Sequence, residues 1–225
     1  QTDPVPRQPE AVVGGKYRLL EAIGEGGMGS VWRAQHVSLG RMVAIKFVRP
    51  EMNTAEVASR FLREARATAA VQHRNVVEVI DVGTTGEGLP YLVMEYLEGE
   101  TLEARLARSP ALSVAELGSI LAATLNGLAV VHEAGIIHRD LKPANIFLTR
   151  EAEGTLPKIV DFGISRATLA GADSAESRLT VTGSIVGTPF YMSPEQLRGA
   201  KDIDARTDLY AMGVILYEAL TGRLP

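Results

Sequence analysis

The 225-residue sequence is 46% hydrophobic, contains no cysteine and carries a formal charge of −4 at pH 7. That apolar content suits one large domain or two modest lobes and excludes a disordered chain. The lack of cysteine excludes a disulfide framework and thiolate metal sites and fits a reducing cytoplasm. Basic residues are scattered and form no stripe of the kind that tracks a nucleic-acid backbone, so nucleic acid is not an expected partner.

The first residue is Gln1, so the sequence is read as a segment of a longer protein, with a cytoplasmic location expected and any membrane anchor outside it. Residues 1–13 hold three prolines and little that can pack, which predicts a flexible lead-in before a domain over 14–225. "YRLLEAIG", "SVWRAQ" and "RMVAIKFVRP" are rich in β-branched and aromatic residues and punctuated by glycine, the pattern of an antiparallel meander. "AEVASRFLREARATAAV" follows, with Val57, Phe61, Ala65, Thr68 and Ala69 at helical spacing, and predicts one amphipathic helix. Strand character returns in "VVEVIDVG" and "LPYLVMEY".

After Gly99 the texture becomes helical, first in "TLEARLAR" and then in a long segment ending near Ala134. Within that segment Leu117, Ile120, Leu121, Thr124, Leu125, Leu128 and Val131 recur at helical spacing, and Asn126, His132 and Glu133 interrupt the apolar run. This is the pattern of a core helix, and no membrane contact is expected of it. Two short strands, "NIFLT" and "PKIVDFG", a polar loop and the helix "TDLYAMGVILYEALTG" complete the chain. The fold expected is α+β: a small β-rich lobe with one helix, a linker, and a larger mainly helical lobe.

"IGEGGMGSVWRAQ" crowds four glycines into six residues. A dinucleotide loop leads into a helix whose N-terminus holds the pyrophosphate, but Ser30, Val31, Trp32 and Arg33 favour strand. A phosphate-binding Walker loop ends in Gly-Lys-Ser/Thr, and Met28-Gly29-Ser30 has no lysine. What remains is a hairpin lying over phosphates, in which Gly24, Gly26 and Gly29 permit close backbone approach, or else an ordinary hairpin turn.

"VAIK" sets Lys46 among apolar neighbours in a strand, and Glu64 shares a helix face with Val57, Phe61 and Thr68. A carboxylate beside a buried stripe calls for a cation, and Lys46 is the nearest candidate in the same lobe. In "IIHRDLKPANIFL", Asp140, Lys142 and Asn145 are polar groups in a loop bracketed by apolar segments, with Pro143 fixing the turn, so they converge on a small volume. "KIVDFG" puts Asp161 at a strand end, where a carboxylate can meet Mg²⁺.

From about Tyr17 to Leu224 these motifs, in this order, resemble the protein kinase family, specifically the bacterial (Hanks-type) relatives of eukaryotic Ser/Thr protein kinases. The resemblance implies a two-lobed fold, with an N-lobe over about 14–94, a linker over about 95–99 and a C-lobe over about 100–225. It implies ATP as substrate, with Gly24, Gly26 and Gly29 as a lid flanked by Ile23, and Lys46, oriented by Glu64, on the phosphates. Val31, Ala44 and Phe147 would clamp adenine, Glu95 and Leu97 would bond its edge through the linker backbone, and Met94 would guard the pocket behind. Asn145 and Asp161 match Mg²⁺ ligands, Asp140 the base and Lys142 a cation beside the γ-phosphate. Asp208 matches the residue that buttresses the catalytic loop.

Lys142 and "GTPFYMSPE", with Thr188, match the Ser/Thr-specific pattern, which implies protein substrates with Ser/Thr acceptors. Thr180 and Thr182 match loop positions that bacterial relatives autophosphorylate, with Arg139 and Arg166 as cations for the phosphate. Autophosphorylation in trans would use a dimer. Two departures stand out: Ser193 replaces the usual Ala of Ala-Pro-Glu, and the arginine expected to pair with Glu195 lies past Pro225. A fully buried Glu195 without its partner would cost roughly 3–5 kcal/mol, and the alternative expectation is therefore an inactive or scaffold-like nucleotide-binding fragment.

Overall fold

The computed structural model describes residues 9–26, 29–49, 53–108, 112–152, 154–162, 189–200 and 202–225. The chain divides into two units, Gln1–Gln72 with Glu78–Leu97, and His73–Val77 with Glu98–Pro225.

In the first unit, β1 (Val12–Val13), β2 (Tyr17–Gly26), β3 (Gly29–His36), β4 (Met42–Val48), β5 (Val79–Thr84) and β6 (Pro90–Glu95) form an antiparallel sheet in the order β1-β2-β3-β4-β6-β5. Residues opposite one another share a face, so the register sorts the side chains. Leu19, Ala34 and Val43 lie on one face with the rows Trp32–Ile45–Val93 and Phe47–Tyr91, and with Val13 and Tyr17 they make the core. Val31, Lys46 and Leu92 lie on the other, beside Ala44 and Met94. β4 is apolar on both faces save for Lys46 and buried from Val43 to Val48, as suits a central strand.

The lead-in expectation is corrected over its last residues. Gly14 and Gly15 both take left-handed φ (+57° and +67°), and the Lys16 N–H donates to the Val13 carbonyl. This tight turn, open to glycine pairs, folds Val12–Val13 back onto Tyr17–Arg18 and buries Val13 to 4% exposure. The sheet also curls on itself. The Tyr17 hydroxyl on β2 donates to Asp81 on β5 (3.0 Å), although β3, β4 and β6 separate the two strands, and Lys16 Nζ joins the same carboxylate at 3.1 Å.

The helix α1 (Ala55–Ala69) starts at Thr54, whose hydroxyl accepts the Val57 N–H, and buries Phe61, Ala65 and Thr68. Val57 is only half-buried and Ala69 is exposed. The buried stripe runs i, i+4, i+7 from Phe61, and Ala69 sits a further 100° or so round the helix.

In the second unit, β7 (Gly99–Thr101), β8 (Ile146–Glu151) and β9 (Gly154–Ile159) form an antiparallel sheet. α2 (Leu102–Arg108) packs on β7 and β8 and α3 (Val114–Glu133) on β9, α5 (Arg206–Thr221) packs on α3, and α4 (Pro194–Leu197) reaches the loop before β8 through Gln196. The single strand expected over 76–83 is in fact divided. Asn75, Val76 and Val77 are buried; the Ile159 N–H donates to the Asn75 carbonyl and the Val77 N–H to that of Ile159, while Asn75 Nδ2 holds the Pro157 carbonyl at 2.8 Å. Val79 onward belongs to β5 in the first unit.

Among the described residues α3 is the one helix long and apolar enough to cross a membrane. Here Leu117, Ile120, Thr124, Gly127, Leu128 and Val131 are buried, and the helix packs on β9 and α5. A Cβ on Gly127 would press on the Asn75 carbonyl oxygen and the Ile159 side chain, so helix and sheet meet at a backbone contact.

Burial, and then the hydrogen bond to Asp81, push the Tyr17 phenol up from 10.0 to about 12. A folded-state value above the unfolded one contributes stability that is fully present below about pH 10 and is lost as the pH rises towards 12. Thermal melts followed by circular dichroism should therefore show a fall in melting temperature over that alkaline window that is smaller in Tyr17→Phe. Equal alkaline slopes in the two proteins would refute the assignment.

Candidate active site

The loop between α3 and β8 hangs on one carboxylate. Asp208, in the first turn of α5, is 1% exposed and accepts three hydrogen bonds. The His138 N–H and His132 Nε2 donate to Oδ2 at 2.9 and 2.8 Å, and the Arg139 N–H donates to Oδ1 at 2.9 Å. An ionised carboxyl has only acceptor sites, so the ring of His132, at the end of α3, must present its Nε2–H.

His138 is fully buried and carries the constraint onward. Its Nδ1 accepts the Asp140 N–H (3.3 Å) and its Nε2 faces the Val160 carbonyl (3.0 Å), which selects the Nε2–H tautomer. The ring also lies against Phe162, with centroids 5.2 Å apart.

Three of the residues singled out in the sequence meet here. Lys142 Nζ lies 3.1 Å from Asp140 Oδ2. Asn145, in the 3₁₀ turn Pro143–Asn145, donates from Nδ2 to the Asp140 carbonyl (2.7 Å) and, more weakly, to its carboxylate (3.4 Å). The Val160 N–H in turn donates to the Asn145 carbonyl at 3.0 Å, which ties the segment carrying Asp161 to the same turn. Arg139 and Asp161 both have left-handed φ, +64° and +59°. Such backbone is costly for a non-glycine residue and persists only where the surroundings impose it. Phe147 follows on β8, half-buried, opposite Thr101 and Lys158.

In the first unit Lys46 is 8% exposed and shares a row with Val31 and Leu92. Ala44 stands opposite Met94, and both are buried. Glu64 is half-buried on α1 between Phe61 and Thr68, and its carbonyl accepts the Thr68 hydroxyl. Gly24 pairs with Val31 and Gly26 with Gly29, while Ile23 is exposed. Gly29 has an internal reason to be glycine, because a Cβ there would run into the Phe47 carbonyl oxygen of β4. Glu95 uses its N–H on the Glu78 carbonyl and its carboxylate on the Glu78 N–H, whereas Leu97 makes no hydrogen bond among the described residues.

Arg166, Thr180, Thr182 and Thr188 lie outside the described residues. Glu195 is half-buried, so the full cost of a buried charge does not arise there. Sequence reasoning missed His132 and Gln196; neither the Leu-Ala-Val-Val-His run nor Ser-Pro-Glu-Gln signals a partner far away in the chain.

The protein kinase domain family matches residues 17–225. The serine/threonine-protein kinase pkn2 of Myxococcus xanthus is 45% identical over 215 residues, which are 95% of this chain and 25% of that protein. The probable serine/threonine-protein kinase PknB of Bifidobacterium longum is 41% identical over 226 residues, 96% of this chain and 32% of that protein. Among solved structures, a mutant of the Mycobacterium tuberculosis PknI kinase domain aligns with a TM-score of 0.75 at 28% identity, covering 97% of this chain and 79% of that one. The chain thus spans about a quarter to two fifths of the length of the curated relatives it matches.

Asp208→Ala would leave the buried N–H of His138 and the partly buried N–H of Arg139 without their acceptor. At about 1–3 kcal/mol each, a loss of roughly 2–6 kcal/mol is expected, and the melting temperature should fall by about 2–4 °C per kcal/mol in a chain of this size. Asp208→Asn, which keeps one acceptor oxygen, should fall between Ala and wild type. Denaturant titration of the three proteins checks the order.

Proposed function

The chain belongs to the protein kinase domain family, and we propose that it transfers the γ-phosphate of Mg-ATP to serine or threonine hydroxyls of proteins. The observation that carries this reading is the cluster of Asp140, Lys142 and Asn145 on the loop suspended from Asp208. The names of the relatives, all serine/threonine-protein kinases, support the acceptor class.

The residues suit Mg²⁺. Asn145 spends its amide N–H groups on Asp140, which turns its Oδ1 away as an oxygen donor, and Asp161 adds a carboxylate. Mg²⁺ takes one or two protein oxygens and completes its shell with phosphate and water, so these two donors are enough. When bound, the ion neutralises charge on the phosphates.

Asp140 orients the acceptor hydroxyl and takes its proton as the new O–P bond forms and the bond from the γ-phosphorus to the ADP oxygen breaks. Lys142 sets a positive charge beside that carboxylate, where negative charge gathers on the transferred group. Lys46, held in an apolar row of β4, supplies a cation for the α- and β-phosphates, and Glu64 orients it. Val31, Ala44 and Phe147 offer apolar surface for adenine, Leu97 offers backbone groups for its edge, and Met94 limits the depth available. Chemistry of this kind is mostly positioning and electrostatics, so residues from several segments must converge. The scaffold alternative gains no support, since Lys46, Asp140 and Asp161 are all present.

Asp161→Asn and Lys46→Met should each fold normally and lose phosphoryl transfer by roughly 10²-fold or more. Transfer of labelled γ-phosphate to a general Ser/Thr protein substrate, followed by phosphoamino-acid analysis, measures both the loss and the acceptor. Full activity in folded Asp161→Asn would remove the metal assignment, and full activity in Lys46→Met the phosphate assignment.

A further inference from the structure

Arg139 is gripped through the peptide on either side of it. Arg139 sits at φ +64°, which its own side chain disfavours, so neighbours must hold it there. Its N–H donates to Asp208 of α5, and its carbonyl accepts a hydrogen bond from Gln196 Nε2 of α4 at 2.8 Å. Gln196 is 7% exposed. Its Oε1 accepts the Ser193 N–H at 3.0 Å, while Ser193 Oγ accepts the Gln196 N–H at 3.4 Å, a reciprocal capping box. Ser193 Oγ is also 2.6 Å from Thr207 Oγ1, the neighbour of Asp208, and both residues are buried.

The Gln196 amide has only one satisfactory orientation. Oε1 faces a donor and Nε2 faces an acceptor, so a flip would set like against like at both ends. One side chain therefore has two separable duties: Oε1 completes the helix cap of α4, and Nε2 reaches the loop that carries Asp140.

We propose that Gln196 is a positioning residue for phosphoryl transfer, its amide fixing the plane of the Arg139–Asp140 peptide and so the aim of the Asp140 carboxylate. The proposal rests on the kinase reading. The N–H of this peptide, on Asp140, donates to His138 Nδ1 at 3.3 Å, and a peptide hinged at one edge can still rotate. Gln196 restrains the opposite, carbonyl edge from α4. The Ser193 hydroxyl serves the cap of α4 and meets Thr207, and neither of these bonds reaches the Arg139–Asp140 peptide.

Gln196→Glu separates the two duties in the intact protein. It keeps an acceptor for the Ser193 N–H, and so the cap, but sets an oxygen against the Arg139 carbonyl. With Mg-ATP and a general Ser/Thr protein substrate, kcat should fall about 10- to 100-fold, since small misplacements of a reacting group act on this scale, while KM for ATP stays within about twofold. The melting temperature should stay near that of wild type. Burial against the Arg139 carbonyl raises the new carboxyl above the ordinary glutamate range; protonating it restores a donor, so the ratio of variant to wild-type kcat should rise as the pH falls from about 8 to about 6. Ser193→Ala should do the reverse, lowering the melting temperature with a pH-independent kcat ratio near one. A Gln196→Glu protein with wild-type kcat and a flat ratio would overturn the proposal, as would parallel losses of kcat and melting temperature in both variants. A wild-type protein that transfers no phosphate would refute the kinase reading instead, and hydrogen exchange then decides the inference. Faster exchange over 138–142 in Gln196→Glu, with α5 unchanged, supports it; identical exchange sinks it.

Discussion

A single buried carboxylate organises the second unit. Asp208 lies at the start of α5, and burying a charged group there is tolerable only because three donors converge on it. Two of those donors are consecutive backbone N–H groups, so the carboxylate fixes a stretch of main chain and not just a side chain. That stretch includes the left-handed Arg139, directly before Asp140. The polar groups that follow are placed by short-range bonds to Asp140, and His138 passes the constraint across to Val160 and Phe162. A loop that would otherwise sample many shapes thus has its geometry set by groups on α3, α5 and the segment after β9.

The first unit solves a different problem, which is to bury a lysine in a strand without breaking the sheet. β4 runs through the middle, between β3 and β6, so its backbone groups are satisfied on both edges. Its alternate side chains serve two purposes. Val43, Ile45 and Phe47 enter the core with Trp32 and Tyr91, and the opposite row presents Ala44 and Lys46 with Val31 and Met94. A register slip of one residue would exchange the two rows and bury Lys46 in the core. The tight seating of Gly29 against the Phe47 carbonyl and the curl closed by Tyr17 and Asp81 both oppose such a slip.

Backbone strain in the second unit falls where the chemistry is expected. Of the non-glycine residues with positive φ, Arg139 and Asp161 flank or form the polar cluster. Strain of this kind needs continuous restraint, and for Arg139 the restraint is visible on either side of its Cα, from Asp208 on its N–H and from Gln196 on its carbonyl. Catalysis by positioning depends on such pre-set geometry, because a group already aimed needs no reorganisation at the moment of reaction.

What the sequence by itself determined was local. The strands of the meander, α1, α3 and α5 were legible because their apolar residues recur at spacings set by the geometry of each element, and Lys46, Asp140, Lys142, Asn145 and Asp161 because they stand in short contiguous strings with recognisable chemistry. Tertiary structure decided what depends on partners far away in the chain. Val12–Val13 became a strand only because two glycines turned it onto β2, and Val76–Val77 left the strand they were expected to begin because β9 offered them backbone partners. His132 and Asp208 are 76 residues apart, and Arg139 and Gln196 57. A hydrogen bond acts over about 3 Å whatever the sequence separation, so periodicity and motif cannot reveal which distant donor meets which acceptor; only the packing that brings them together can.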